Sequence, residues 1–326
     1  LKSAAYIGGV LGLILLAVIL SHTDLPELWH TALTAGGQLL WLAPYRLLFF
    51  LLYALGWAEL LRPYVQGSGI GFGFIYWATS VREAVDRLLP VASVGGGVVG
   101  VRLLHQRGVR MAVAGATVVV EILITIVALY GFAMLGLLLL IHIEPAGATS
   151  RYLVPVLLLS LPVPVLSAAL LRYGSVFARL QGILRQIAGI NVAAEGAAAL
   201  DREIQSCLKR VWSLAYAGGL QFIALISGSL EIWFVLRVVG HPIGFAAALI
   251  MESLMQAARH VAFFVPAGIG VQEGMLIQFG QTLGVSSELA LTVSLAKRVR
   301  EILCGVPALI SWSLLEGRRS QQPQSR

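Results

Sequence analysis

Cysteine occurs only twice, as Cys207 and Cys304, at the edge and in the interior of apolar segments. Two thiols so placed give neither a disulfide framework nor metal-ligand spacing, and both read as structural. Histidine is nearly as scarce: His22, His30, His105, His142, His241 and His260 are scattered without the spacing of a metal site or a general base. No GxxxxGK[ST] phosphate loop is present, so the chain is not expected to hydrolyse ATP itself. The glycines of "GIGVQEG" have the wrong spacing for a dinucleotide fingerprint, and no βαβ unit surrounds them. Neither an enzyme activity, a metal nor a cofactor is expected. The largest scarcity is charge. Only 12% of the 326 residues are charged.

What fills the chain instead is 58% hydrophobic residues, with a mean hydropathy of +0.86. No single soluble core can hide that much apolar surface, so the chain reads as an all-α polytopic membrane protein. Its net charge of +7 and pI near 9.7 would suggest nucleic acid in a soluble domain. Here the basic residues cluster between apolar runs, as the positive-inside rule describes, and no nucleic-acid partner is expected.

A membrane span needs about 20 apolar residues to cross a roughly 30 Å hydrocarbon layer. Six segments qualify: 4–21, 36–61, 111–141, 152–171, 211–236 and 287–315. The first apolar run is followed by "SHTDLPELWH" rather than a small-residue cleavage site, and it reads as a retained span. Residues 66–110 and 240–286 are too polar to cross twice comfortably and too apolar to sit in water. Their centres, "RLLPVASVGGGVVGVRLLHQRGV" and "FFVPAGIGVQEGMLIQFGQTLGV", align without a gap at an offset of 176, matching Pro90 with Pro266 and Gly108-Val109 with Gly284-Val285. The flanking spans follow the same register. We therefore expect a single transmembrane domain over 1–317 with an internal repeat of span, re-entrant hairpin, span, covering about 36–141 and 212–317. The one span between the copies makes the repeat inverted, an arrangement common in carriers.

With the N-terminus placed in the cytoplasm, fourteen basic residues, among them Lys2, Arg62, Arg102, Arg107, Arg110, Arg185 and Arg318, fall on the inner side. Only Arg151 and Arg237 fall outside, so both termini are expected to be cytoplasmic. Residues 173–210 carry Val176, Leu180, Ile183, Leu184 and Ile187 at helical spacing and are expected to lie along the cytoplasmic membrane surface or to form a plain connecting helix. The polar tail 318–326 is expected to be disordered.

Non-helical chain at membrane depth survives only where it is buried in protein or lines a watery cavity. In the second insert Pro266 is expected to end the arriving helix, Gly268 and Gly270 to reverse the chain, and a short helix to begin near Val271 with Gln272 and Glu273 in its first turn. Pro90 and Gly95 are the corresponding hinges of the first insert. Before the second break, Glu252, Gln256 and Arg259 share one helix face; they either line a cavity or pair with each other. The last span holds Lys297, Arg298, Arg300 and Glu301 deep in an apolar run, where each charge costs about 2.5–3.5 kcal/mol. The face made by Lys297, Arg300 and Glu301 is expected to meet the hairpin bearing Glu273, as a substrate site or as packing glue. The first copy contributes Arg82, Glu83, Asp86 and Arg87, with Arg82 and Asp86 spaced to pair, and Glu121 stands where Lys297 stands in the second copy.

The break "VPAGIGVQEG", followed by a span carrying "AKRVREILCGVPALISW", resembles the lysylphosphatidylglycerol-synthase transmembrane family, also called flippase-like membrane proteins, and within it the hopanoid-biosynthesis-associated branch. The likeness covers most of the chain, with "LLPVASVGG" at the family's earlier proline-glycine motif; members often carry a glutamate after that turn, where this chain reads "GGGVVG". The resemblance implies a bacterial inner-membrane protein that moves an amphipathic lipid, a hopanoid or phospholipid, between leaflets. Bifunctional relatives add an aminoacyl-transfer domain after the membrane part. The present chain stops at Arg326, so lipid aminoacylation is not expected. Two other readings stay open: a non-transporting scaffold that gathers lipid-biosynthetic enzymes, and an ion-coupled carrier of a small anion. Self-association into a homo-oligomer is left open with them.

Overall fold

The computed structural model describes residues 36–66, 69–89, 95–143, 155, 160, 162–179, 194–262, 265 and 268–320. The first expected span, the hinges Pro90 and Pro266, residues 180–193 of the linker and the last six residues lie outside them. Among the described residues the regular structure is helical.

A 3-10 turn, Gly36–Trp41, leads into α1, Leu42–Val65. There follow α2 (Phe72–Leu88), α3 (Gly95–His105), α4 (Met111–Ile143), α5 (Pro162–Tyr173), α6 (Ala194–Leu208), α7 (Val211–Val238), α8 (Phe245–Val261), α9 (Val271–Thr282) and α10 (Ser287–Ser320). Three segments are long and apolar enough to cross a membrane: Gly36–Val65, Met111–Ile143 and Val211–Val238. They coincide with three of the six expected spans. The expected sixth is the 34-residue α10, long enough at about 1.5 Å rise per residue but interrupted by charge. Of the fourth, the described part is essentially the 12-residue α5.

Helices α3 and α9 open 176 residues apart, and so do α4 and α10. The matched Gly-Val pairs both end helices. Gly108 (φ 87°) and Gly284 (φ 77°) take the left-handed conformation that only glycine adopts cheaply. The next residue then bonds back: Val109 N–H to the Leu104 carbonyl at 3.2 Å, and Val285 N–H to the Gly280 carbonyl at 2.8 Å. Each valine is buried against its own neighbourhood, the hydrophobic partner such a cap calls for.

Two expectations about the inserts need correction. Helix α8 stops at Val261, with Ala262 as its C-cap, so it ends five residues before Pro266 rather than at it. Gly95 is the first residue of α3 rather than a free hinge; the residue that needs to be glycine there is Gly96. A Cβ on Gly96 would stand 2.3 Å from the Arg82 carbonyl oxygen, and its N–H donates to Asp86 at 2.8 Å. Gly268 (φ 60°) and Gly270 (φ 79°) do reverse the chain as expected.

The chain forms two compact units: Leu1–Phe50, Trp77–Gly96 and Ser227–Arg326 in the first, Leu51–Tyr76 and Gly97–Ile226 in the second. The second unit has an apolar core of Leu60, Ala116, Val120, Leu123, Ile204, Cys207 and Ala217. Small residues let its helices approach closely: a Cβ on Gly56 would lie 3.5 Å from the Ala217 carbonyl oxygen. Polar bonds lock the remainder, Ser213 Oγ donating to Glu59 at 2.8 Å and Arg210 to the Leu60 carbonyl at 2.8 Å. Helix α6 packs on α4 here and buries Ile204, Cys207 and Leu208. Of the stripe expected at the membrane surface, Leu180 to Ile187 lie outside the described residues, and residues 194–208 rest on α4. Their apolar stripe is covered by protein.

In the first unit α9 packs against both α8 and α10. That packing brings the polar break beside the charged stretch of the last helix.

Candidate functional site

An α-helix repeats every 3.6 residues, so positions 297, 300 and 301 of α10 point one way, and 294, 298 and 301 point around toward a neighbouring stripe. The two stripes have different partners.

On the first, Lys297 Nζ lies 2.8 Å from Glu252 Oε2 of α8 and 3.1 Å from Glu231 Oε2 of α7. Arg300 pairs with the other oxygen of Glu231 and lies 3.6 Å from Glu301. Glu231 is thus clamped between two cations, and its side chain is 1% exposed. The face of Lys297, Arg300 and Glu301 does meet the hairpin bearing Glu273, but through its arriving helix α8, where Glu252 takes Lys297 and Arg259 takes Glu301; Glu231 of α7 supplies the acid for Arg300, and Glu273 itself takes Arg298. Sequence reasoning missed Glu231. A lone glutamate inside "SGSLEIWF" is as costly in an apolar span as Lys297 is, so the same argument applied to α7 would have found it.

On the second stripe Arg298 reaches Glu273 at 3.3 Å and Glu301 at 3.6 Å. Glu273 is the third residue of α9. It accepts the Gly270 N–H at 2.8 Å, the reciprocal half of a capping box, and the Ser294 hydroxyl at 2.8 Å. Gln272, fully buried, donates to Ser294 at 2.7 Å and accepts from Arg259, which also lies 3.5 Å from Glu301. A continuous polar chain therefore runs Arg259, Gln272, Ser294, Glu273, Arg298. Glu252 and Arg259 share a helix face but have separate partners, α10 taking one and α9 with α10 the other. Gln256 bonds to Glu252 at 3.0 Å.

Room for this charge comes from glycine. A Cβ on Gly228 would sit 2.5 Å from Glu252 Oε1, so only glycine lets that carboxylate lie against α7. Replacing Gly228 with alanine is expected to push Glu252 off Lys297 and to destabilise the protein by about 1–3 kcal/mol. Thermal melting of the purified protein checks this, and unchanged melting would show the carboxylate to be free to move aside. The Tyr45 hydroxyl donates to the Ser227 carbonyl at 2.8 Å beside the same spot.

Next to the network lies a small open-sided cleft, lined by Arg46, Leu47 and Phe50 of α1, Ser80, Glu83, Ala84 and Arg87 of α2, and Arg300, Glu301, Cys304 and Gly305 of α10. Glu83 Oε1 bridges Arg87 at 3.0 Å and Arg46 at 3.4 Å. Arg46 is a second residue the sequence reading passed over, a lone cation in "PYRLLFF" that poses the same burial problem. The wall depends on Gly305, where a Cβ would stand 2.6 Å from Leu88. Across the whole centre five carboxylates (Glu83, Glu231, Glu252, Glu273, Glu301) meet six cations (Arg46, Arg87, Arg259, Lys297, Arg298, Arg300), one positive charge in excess.

Arg82 lies on α2 outside the cleft lining, and Asp86 serves the Gly96 N–H. Glu121 belongs to the second unit and is buried there. Among the described residues no group of histidine, cysteine and acidic side chains could hold a metal ion.

Long apolar helices, together with a sheltered ionic centre, define an integral membrane protein of the α-helical class. The sequence model of the family described as the lysylphosphatidylglycerol synthase TM region matches residues 6–307, and the chain belongs to that family. It is accordingly a membrane protein linked to lipid metabolism or translocation. Comparison with curated proteins and with solved structures finds no match.

Proposed function

We propose that the protein is a lipid translocase rather than an enzyme, moving a hopanoid or related polar-headed lipid between the leaflets of the bacterial inner membrane. The observation that carries this reading is the ionic centre of the first unit, open to a cleft whose lining mixes guanidinium groups with Leu47 and Phe50. A polar head needs compensation at membrane depth, and its tail needs none. The short helices α2, α3, α8 and α9, of 17, 11, 17 and 12 residues, fall below the roughly 20 residues a span requires. They suit two hairpins that enter and return on one side. The shared offset of 176 residues between the starts of α3 and α9, and again of α4 and α10, supports reading them as parts of one inverted repeat.

The test is reconstitution. Vesicles containing the purified protein are expected to bring inner-leaflet lipid to an outer-leaflet quencher faster than protein-free vesicles. Folded protein that moves neither hopanoid nor phospholipid would sink the proposal and leave a scaffold for lipid-biosynthetic enzymes as the better account.

A further inference from the structure

The cleft beside the network carries more chemistry than packing requires. Three guanidinium groups, of Arg46, Arg87 and Arg300, line it against two carboxylates, Glu83 and Glu301. Their partners are unequally committed. Arg300 is tied to Glu231, whose side chain is 1% exposed. Arg87 contacts Glu83 through Nε alone, and its two terminal nitrogens have no hydrogen-bond partner among the described residues. Glu83 itself is unlike the other acids. Its side chain is 34% exposed, whereas those of Glu231, Glu252, Glu273 and Glu301 are 1–7% exposed.

A carboxylate oxygen that bridges two guanidiniums, on a side chain one third exposed, occupies the place that an oxygen of a bound anion would take. Arginine's planar fork suits phosphate oxygens, and such charge-assisted bonds are about twice as strong as neutral ones. Leu47 and Phe50 of the apolar α1 complete the wall, which fits a ligand with an apolar tail better than a free ion.

We infer that this cleft is the headgroup site for a lipid bearing one negative charge of the phosphodiester type, held by Arg46 and Arg87, with Glu83 as a built-in stand-in that the headgroup displaces. The inference rests on the lipid-translocation reading and narrows its cargo. It makes a prediction of unusual sign: removing an acid from the site strengthens binding. Glu83→Gln leaves the two arginines without their internal competitor. Arg87→Gln removes the group with uncommitted donors.

The experiment is native mass spectrometry of the full chain in detergent, titrated with phosphatidylglycerol, phosphatidylcholine, a neutral hopanoid polyol and inorganic phosphate. Wild type is expected to take phosphatidylglycerol about tenfold more tightly than phosphatidylcholine, a difference of about 1.4 kcal/mol. Arg87→Gln is expected to abolish that preference, and Glu83→Gln to increase it severalfold. Equal binding of the two phospholipids, preference for the neutral polyol, or weaker phosphatidylglycerol binding by Glu83→Gln would each overturn the inference. Inorganic phosphate competing as well as the lipid would overturn the lipid assignment. If Arg87→Gln does not fold, Arg87→Lys serves in its place; it keeps the charge but loses the fork, and an undiminished preference in that variant counts against the site. Binding is read here without transport. Tight, selective binding with no flipping would remove the translocase reading alone, and flipping without headgroup selectivity would remove this inference alone.

Discussion

Substituting leucine for Glu231 is expected to be the most damaging single change in the protein, costing about 3–5 kcal/mol and leaving little folded material. Glu231 is the shared counter-ion of Lys297 and Arg300, and its side chain is 1% exposed. Leucine would fill a comparable volume and cost nothing in lipid. What it leaves behind is the difficulty: two cations of α10 would have one acid, Glu252, between them within reach of Lys297 and only the more distant Glu301 for Arg300. An unpaired buried charge cannot recover the hydration it gave up, so α10 would have to shift or admit water. Thermal melting by size-exclusion chromatography in detergent reads the loss. A control separates charge from shape. Combining Glu231→Leu with Lys297→Met and Arg300→Leu removes the ions together, and that triple variant is expected to regain much of the stability, because an ion cluster replaced as a whole by apolar groups is often neutral or better. Near-wild-type melting of the single variant would show that water or another acid already serves the two cations.

Glu273→Ala is expected to have the second largest effect, confined to the start of α9. The residue accepts the Gly270 N–H, the Ser294 hydroxyl and Arg298 at once. A lost N-terminal cap costs typically about 1 kcal/mol, and a lost hydrogen bond to a charged group about 1.5–3 kcal/mol. These contributions overlap, so we expect roughly 2–4 kcal/mol together. The sharper readout is local. Amide hydrogens of residues 271–274 should exchange much faster in the variant than in wild type, while α4 and α6 in the second unit stay unchanged. Protection of the α9 amides equal to wild type would mean that Arg298 and Ser294, rather than Glu273, hold the turn. Glu273→Gln is expected to fall between, since the amide oxygen can still accept from Gly270 but carries no charge for Arg298.

Both predictions depend on pairings of unequal legibility. That Lys297, Arg298, Arg300 and Glu301 needed partners followed from their place in an apolar run, where an isolated charge is too costly to leave alone. That Glu273 would open a short helix after a glycine reversal followed from "GIGVQEG", and Gly268 and Gly270 take the positive φ this requires. The choice of partner did not follow. Lys297 faces Glu252 and Glu231, and Arg298 faces Glu273, because the rotation of α10 and the neighbours on each side of it set the match. Spacing along one helix says which residues share a face and nothing about what the face meets. Helix α6 shows the same limit in apolar form: whether lipid or α4 covers Ile204, Cys207 and Leu208 depends on a surface far away in the sequence. Pro266 shows a third kind. Proline disfavours helix in the residue before it but does not fix where the arriving helix stops, and α8 ends at Val261.

The amino-acid sequence alone determined that this is a helical membrane protein, where its longest apolar helices run, and which buried ions and glycine turns are too costly to be accidental. All of these follow from local composition and the price of placing charge or bare backbone in hydrocarbon. Only the tertiary structure decided that Glu231 anchors the charged helix and that Arg46 and Glu83 join Arg87 at an open cleft. Coulomb attraction and hydrogen bonding act over a few ångströms, and residues 37 to 69 positions apart in the chain reach that distance only once the helices have packed.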